Sequence, residues 1–293
     1  MTRSSTQTTS SDFLLRMAQA SRLRLNRIMA DCDESRIRQR AQSRAPAPVL
    51  TLSTEGFDLI AEVKKKSPSV GQLAGKSMSP AEQAQRYSVA GAAAISVLTE
   101  PEQFAGALID LEDVVSRISG IPVMRKDFLV SSYQVLEARA AGAGGVLLIA
   151  AMLNEGELRE MLETTLELGM FALVEAFDPA DLDLCLPIME SCRSGLDESG
   201  DVCRMLIGIN CRDLRTLQVD FPRFESMAGR LPGNLPWVAE SGIETAETAA
   251  QVVSMGYRLA LVGTALMRSV DPTAEGRAMI EAGRNVMSRD IPA

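Results

Sequence analysis

Eight short apolar runs recur along the chain from residue 58 onward, and longer stretches with helical periodicity separate them. The runs begin 23 to 35 residues apart, about the length that a strand, a helix and two loops occupy. They cover residues 58–63, 93–98, 121–124, 145–149, 171–175, 205–209, 236–239 and 259–262. Strands that alternate with helices indicate parallel βα units, and a count of eight favours a closed barrel over an open sheet. The sequence therefore predicts an α/β fold, a (β/α)8 TIM barrel.

The chain before the first run divides by composition. Residues 1–12 contain eight Ser or Thr and no apolar core, which is typical of a disordered tail and not of a secretory signal. Residues 13–44 predict one or two amphipathic helices that lean on the barrel. We expect a tail at 1–12, an N-terminal helical extension at 13–50 and a barrel catalytic domain at 51–293. Since residues 1–44 hold nine Arg against four acids, an organellar transit peptide is the alternative.

The amino-acid composition argues against several classes of function. The chain has no histidine, which excludes imidazole bases and HExxH zinc sites. Its five cysteines form no C-x-x-C pair and indicate reduced thiols in a cytoplasmic protein. A net charge of −8 argues against a nucleic-acid partner. The longest apolar run, residues 140–153, is shorter than the roughly 20 residues that span a bilayer, so we expect no membrane partner.

Polar side chains stand at the carboxyl ends of six predicted strands, where reactive groups lie in this fold. Glu62 and Lys64 are two residues apart and therefore point the same way along a strand. The remaining strand-end residues are Lys126, Glu175, Asn210, Arg212, Glu240, Ser241, Gly263 and Thr264. A set of structural ion pairs is the alternative interpretation of these residues.

Lysine usage favours reactive groups over structural ion pairs. Only five of the 30 basic residues are Lys, and all five lie in or near the predicted mouth. Lys shifts its pKa when desolvated and can lose a proton, whereas Arg stays charged. We predict functional roles for Lys64 and Lys126, and we interpret Lys65, Lys66 and Lys76 as solvated loop charges.

Three segments of the predicted mouth have features of a ligand site. Residues 64–79 are long and polar, as a mobile lid would be. Gly242 and Gly263 follow strands 7 and 8, where barrels commonly hold a phosphate on backbone N–H groups. Residues 147–153 are apolar and, with Phe128, are compatible with a wall for a ring or with ordinary barrel core.

Seven collinear segments resemble the indole-3-glycerol-phosphate synthase family of tryptophan biosynthesis. They are residues 60–69, 91–101, 122–128, 133–142, 173–175, 207–214 and 240–243. The resemblance implies a carbon–carbon lyase that cyclises, decarboxylates and dehydrates 1-(2-carboxyphenylamino)-1-deoxyribulose 5-phosphate without metal or organic cofactor. The products are indole-3-glycerol phosphate, CO2 and water. We expect a monomer or weak homodimer, and association with other tryptophan-pathway enzymes stays open.

The resemblance also implies a role for each strand-end residue. Lys126 is the implied general acid on the ketone oxygen, and Glu175 is its carboxylate partner, positioned by Asn210. Lys64 is implied to engage the substrate carboxylate, with Glu62 nearby for dehydration. The implied substrate-binding residues are Ser67, Phe128, Arg212 and Glu240 on the anthranilate side, and Ser241, Gly242, Gly263 and Thr264 at the phosphate.

Four positions depart from the family pattern. They are Phe177 in place of a polar residue that is often His, Val70 in place of Lys, Ala107 in place of Ser, and Cys211. A diverged paralogue that acts on a related anthranilate-derived phosphate therefore remains open. So do an aldolase barrel that forms a Schiff base on Lys126 or Lys64, and a catalytically silent barrel that only binds ligand.

Overall fold

The computed structural model describes residues 10–67, 71–72, 78–193, 202–213 and 218–288, and it describes only the backbone of 10–12, 67 and 71–72. Eight parallel strands close into a barrel, each paired with the next one along the chain. The strands are β1 (Asp58–Val63), β2 (Ala94–Leu98), β3 (Val123–Lys126), β4 (Gly145–Ile149), β5 (Phe171–Ala176), β6 (Met205–Asn210), β7 (Trp237–Glu240) and β8 (Leu259–Val262). The prediction of a (β/α)8 barrel is confirmed.

Strand β3 begins two residues later than its apolar run predicts. Pro122 has no N–H to donate to the ladder, and only its carbonyl takes part by accepting from the Ile95 N–H. The shift places Lys126 at the last position of the strand instead of in the following loop. Lys126 is therefore held by strand pairing, in register with Leu98 of β2.

Helices cover the outside of the barrel, and several begin after a residue whose side chain caps the helix. Ser79, Asn154 and Thr245 each accept a hydrogen bond from the third residue of the helix that follows. The helices of the described part are α1 (Ser10–Asp31), α2 (Glu34–Ser43), α3 (Pro80–Ala90), α4 (Pro101–Phe104), α5 (Leu108–Arg117), α6 (Ser132–Ala140), α7 (Glu155–Glu167), α8 (Pro179–Arg193), α9 (Pro222–Ala228), α10 (Ala246–Ser254), α11 (Thr264–Arg268) and α12 (Pro272–Met287).

Among the residues that the structure describes, two short antiparallel strand pairs lie outside the barrel. Leu50–Thr51 pairs with Val202–Cys203, and Lys66–Ser67 pairs with Gly71–Gln72. The second pair lies within the predicted lid, whose residues 68–70 and 73–77, including Lys76, fall outside the described residues.

Alternation along the strands separates two apolar cores. On β5, Ala172 and Val174 pack outward among the helix-facing residues, whereas Phe171 and Leu173 pack into the barrel interior. The same alternation turns Glu175 inward, so it reaches the carboxyl end of the barrel among polar groups from other strands.

The N-terminal extension packs on the barrel through two helices. Helix α1 begins at Ser10, three residues before the predicted extension, and it carries Arg24 to Asp127 at a distance of 2.8 Å. Helix α2 packs on α6, where Ile37 joins an apolar cluster with Tyr133. The division into tail, extension and catalytic domain stays a prediction.

Candidate active site

Lys126 holds the centre of a charged cluster at the carboxyl end of the barrel. Its Nζ lies 3.0 Å from Glu240 Oε2 and 3.4 Å from Glu175 Oε2. Asn210 Nδ2 donates to the other oxygen of Glu175 at 3.1 Å, so both oxygens of that carboxylate have a partner. Lys126, Glu175 and Glu240 are all nearly buried, and β3, β5 and β7 position them.

The surrounding carboxylates keep Lys126 charged. Burial alone would lower the pKa of Lys126, but the carboxylates of Glu240, Glu175 and Glu62 outweigh burial and raise that pKa above its ordinary value. Burial, followed by the negative charge of Glu175, raises the pKa of Glu240 to about 8, although Lys126 opposes the shift. The cluster therefore holds one firmly protonated ammonium group and one carboxyl that takes up a proton readily.

Glu62 and Lys64 form a second pair beside the first. Lys64 Nζ lies 2.7 Å from Glu62 Oε1, so the structure brings these two side chains together on one face. Burial would raise the pKa of Glu62, but Lys64 and Lys126 together hold it below its ordinary value. A side-chain carbon at Gly263 would collide with Glu62 Oε1 and lie 2.9 Å from Lys64 Nζ. Gly263 therefore makes room for this pair.

These groups open into a pocket with about 1050 Å³ of empty volume, part of it open to solvent. Most predicted site residues line it, namely Glu62, Lys64, Lys126, Phe128, Glu175, Asn210, Arg212, Ser241, Gly242, Gly263 and Thr264. Glu240 is only 1% exposed and contributes through Lys126. Ser67 lies in the short outer strand pair, and its side chain falls outside the described residues.

The loops after β7 and β8 form one side of the pocket. Ser241 and Gly242 both adopt left-handed φ angles, of 68° and 73°. A side-chain carbon at Gly242 would lie 2.6 Å from Val219 and 3.2 Å from the Cys211 sulfur, so only glycine fits this turn. Thr264 begins helix α11 directly after β8. This side exposes backbone and hydroxyl groups to the cavity.

Aromatic and aliphatic side chains form the opposite side. The ring centroid of Phe128 lies 6.0 Å from that of Phe13 and 6.3 Å from that of Phe104. Leu147 and Ile149 of β4 also line the pocket, as the wall interpretation predicts. Sequence reasoning missed Phe13, Leu14 and Phe104 as pocket residues, because they come from helices α1 and α4. For Phe13 and Leu14, the available signal was a pair of apolar residues at the start of an amphipathic helix.

An ionic network fixes the end of β3 next to Lys126. Asp127 accepts hydrogen bonds from the Thr99 hydroxyl and from the Phe128 N–H, each at 2.8 Å. Arg24 of α1 pairs with the same carboxylate and lies 3.5 Å from Glu100. Glu100 in turn accepts the N–H groups of helix α4. The extension is thereby tied to the backbone that carries Lys126.

The departures from the family pattern leave the charged cluster intact. Phe177 is half-buried and lines the pocket. Cys211 is buried and donates to the Ser241 carbonyl at 3.3 Å, and Ala107 stands at the N-cap of α5. Val70 falls outside the described residues.

The fold and the site define a class of protein, a (β/α)8-barrel enzyme whose mouth joins a buried ammonium group and carboxylates to an apolar wall. The sequence profile of the family described as "Indole-3-glycerol phosphate synthase" matches residues 16–279. The chain belongs to the indole-3-glycerol phosphate synthase family, and it is therefore a carboxy-lyase of tryptophan biosynthesis.

Curated relatives support the same family. "Indole-3-glycerol phosphate synthase" of Nocardioides sp. is 42% identical over 232 residues, which cover 79% of this chain and 83% of the relative. The protein of that name from Mycobacterium leprae is 42% identical over 246 residues, covering 83% of this chain and 85% of the relative. "Indole-3-glycerol phosphate synthase 1" of Streptomyces coelicolor is 38% identical, covering 85% and 87%.

A solved structure shares the fold at low identity. The 3-hexulose-6-phosphate synthase of Salmonella typhimurium matches with a TM-score of 0.59 at 13% identity, covering 78% of this chain and 100% of that chain. At this identity the match shows a common barrel.

Proposed function

We propose that the chain converts 1-(2-carboxyphenylamino)-1-deoxyribulose 5-phosphate to indole-3-glycerol phosphate, CO2 and water. One observation carries the proposal: the Lys126 ammonium group lies between the buried carboxylates of Glu175 and Glu240 at the base of a pocket with an apolar wall. Family membership selects this reaction over an aldolase reaction at the same lysine.

Lys126 is the proposed general acid for ring closure. The ring carbon that bears the carboxylate attacks the ketone carbon, and the ketone oxygen takes a proton from the Lys126 ammonium group. A positioned acid contributes typically about 10²- to 10⁴-fold to such a step. The raised pKa of Lys126 keeps its amine protonated at neutral pH, so the ammonium group is present when substrate binds.

Lys64, Glu62 and Glu175 are proposed to act in the later steps. Lys64 holds the substrate carboxylate until CO2 leaves, and the bonding electrons return to the ring and restore its aromaticity. In the dehydration, the new hydroxyl leaves as water after a second protonation, and a carboxylate removes the proton from the neighbouring carbon. Glu175 is oriented for that removal by Asn210, and Glu62 lies beside the pocket as a second base.

The two sides of the pocket are proposed to bend the substrate so that arene and ketone meet. In this proposal Phe128, with Phe13, holds the aromatic ring and Arg212 binds on the anthranilate side. Ser67 is proposed for the same side. The phosphate binds at the loops after β7 and β8, through Ser241, Gly242, Gly263 and Thr264. Because both ends of the substrate are held, its conformational freedom is lost on binding and not in the chemical step.

Complementation of a tryptophan-requiring strain that lacks this step tests the function. We expect growth with the wild-type chain and none with Lys126→Ala. Purified protein should form an indole from the substrate without added metal. Borohydride added with substrate should leave the chain unmodified, because an adduct on Lys126 or Lys64 would indicate an aldolase. Binding without turnover would indicate a silent barrel.

The chain is further proposed to be a cytoplasmic monomer or weak homodimer that acts on a small phosphorylated molecule. Large exposed apolar side chains of the described part are dispersed, for example Leu23 on α1, Ile109 on α5 and Val270 before α12. No helix in the described ranges is long and apolar enough to cross a membrane. Sedimentation velocity measures the assembly state, and co-purification tests association with other enzymes of the pathway.

A further inference from the structure

Gly208 occupies an inward-facing position of strand β6 directly beneath the charged cluster. Its neighbour Leu206 packs into the barrel interior, whereas Ile207 and Ile209 pack outward, so residue 208 faces inward by alternation. In the strand register Gly208 pairs with Glu175 of β5. At this level of the barrel β6 therefore contributes no side chain, whereas the neighbouring strand β5 contributes the Glu175 carboxylate.

The space beside Gly208 is occupied by Glu240. A side-chain carbon at position 208 would collide with Glu240 Oε1 and would lie 3.1 Å from the Leu173 side chain. Glu240 Oε2 accepts the Lys126 ammonium group at 3.0 Å. Glu240 Oε1 is buried and has no hydrogen-bond partner among the described residues. One oxygen thus contacts the Lys126 ammonium group while the other fills a buried recess.

We infer that Gly208 is a positioning residue, because its missing side chain creates the recess that holds the Glu240 carboxyl against Lys126 and Glu175. The inference rests on the proposed function and adds to it a residue that contacts no substrate. With a methyl group at 208, Oε1 has to leave the recess, and the Lys126 contact on the same carboxyl moves with it.

The recess also explains the affinity of Glu240 for a proton. Burial is the largest cause of its raised pKa, so a carboxyl displaced toward the open pocket regains solvent and its pKa falls toward the ordinary value. The charged groups that surround this end of the barrel are Lys126 and Asp127 at the end of β3, Glu175 from β5, Glu62 and Lys64 from β1 and its end, Arg212 after β6, and Glu244 after β7. The atoms nearest to a side-chain carbon at 208 belong to Glu240 and Leu173 and to none of these groups.

The test compares Gly208→Ala with the matched control Gly145→Ala. Gly145 also faces the barrel interior, and a side-chain carbon there collides with the ring of Phe171 instead of a charged group. Both variants place one methyl group in a packed interior, so both lose stability by a similar mechanism. Thermal unfolding measures that shared effect for each.

Catalytic readouts separate the two variants. We expect Gly208→Ala to lower kcat roughly tenfold or more with KM nearly unchanged, and Gly145→Ala to retain kcat. In protein with carbon-13 in its glutamate carboxyls, the titration of Glu240 is assigned as the signal lost in Glu240→Gln. That titration should move to lower pH in Gly208→Ala and stay unchanged in Gly145→Ala.

A double variant keeps the test decisive if Gly208→Ala does not fold. Glu240→Ala empties the recess, so Gly208→Ala added to it should fold and should cause no further loss of kcat. Three outcomes would each overturn the inference. They are losses of kcat that add in the double variant, a Gly208→Ala enzyme with the wild-type kcat and Glu240 titration, and a double variant that fails to fold. A wild-type chain without turnover would contradict the proposed function instead. The Glu240 titration in ligand-free protein would still test whether Gly208 holds that carboxyl in the recess.

Discussion

Replacement of Lys126 by Met removes the central charge of the site while nearly keeping the length of the side chain. In the native chain this ammonium group lies 3.0 Å from Glu240 and 3.4 Å from Glu175. Met leaves the two buried carboxyls facing each other with no cation between them. The substitution therefore tests both the proposed acid and the electrostatic account of the cluster.

Two magnitudes follow from this geometry. Loss of the positioned acid should lower kcat by about 10²- to 10⁴-fold. Loss of one partner from a buried ionic cluster typically costs about 3–5 kcal/mol of unfolding free energy near neutral pH.

The stability loss should depend on pH in a defined direction. Without Lys126, the pKa of Glu240 rises further in the folded chain, while it stays near its ordinary value in the unfolded chain. A carboxyl whose folded pKa is raised favours folding below its unfolded pKa, and that contribution is lost as pH rises through the folded value. The deficit of Lys126→Met should therefore be smaller near pH 5 and larger near pH 9, because the native pKa of Glu240 is itself about 8.

Urea unfolding at both pH values and steady-state kinetics measure these effects. Lys65→Met is the matched control, since the Lys65 side chain is 41% exposed in its 2.7 Å pair with Asp110, and ion pairs that solvent screens contribute about 0–1 kcal/mol. Turnover of Lys126→Met within tenfold of the wild type would refute the acid assignment. A stability deficit that is equal at the two pH values would refute the electrostatic reasoning.

Three further outcomes are expected. Asn210→Ala should lower kcat about tenfold with little change in KM, because Glu175 loses the amide that orients it; an equal rise in KM would contradict this role. Arg24→Met should reduce the unfolding free energy by about 1–3 kcal/mol, measured in urea, because Asp127 loses a buried partner. Inorganic phosphate should inhibit competitively and raise the melting temperature, and Ser241→Ala should weaken both effects; unchanged inhibition would remove Ser241 from the phosphate site.

Local sequence patterns account for the barrel and for most of its polar mouth. Apolar runs mark the strands because both faces of a parallel barrel strand are buried. Period-two alternation then places Glu62 and Lys64 on one face, and the structure shows them 2.7 Å apart. The roles assigned to these residues stay predictions, as does the placement of Glu240 on the anthranilate side.

The remaining features depend on contacts between distant parts of the chain. Phe13 reaches Phe128 only because α1 docks across the mouth, and the local sequence of α1 does not encode that docking position. Glu240 meets Lys126 across 114 residues, so their contact becomes evident only in the closed barrel. Gly208 is an ordinary strand glycine in the sequence, and only the folded chain shows what fills its space.

Part of the apolar wall comes from a different piece of the chain than the charged cluster. Phe13 and Leu14 belong to a helix that precedes the barrel, whereas the charged groups belong to the barrel strands. Substitutions at Phe13 and Leu14 can therefore alter the wall while Arg24 keeps its pair with Asp127 and the charged groups keep their own partners. Under the proposed function, varying these two positions offers an engineering route to substituted indoles that retains the groups proposed for proton transfer.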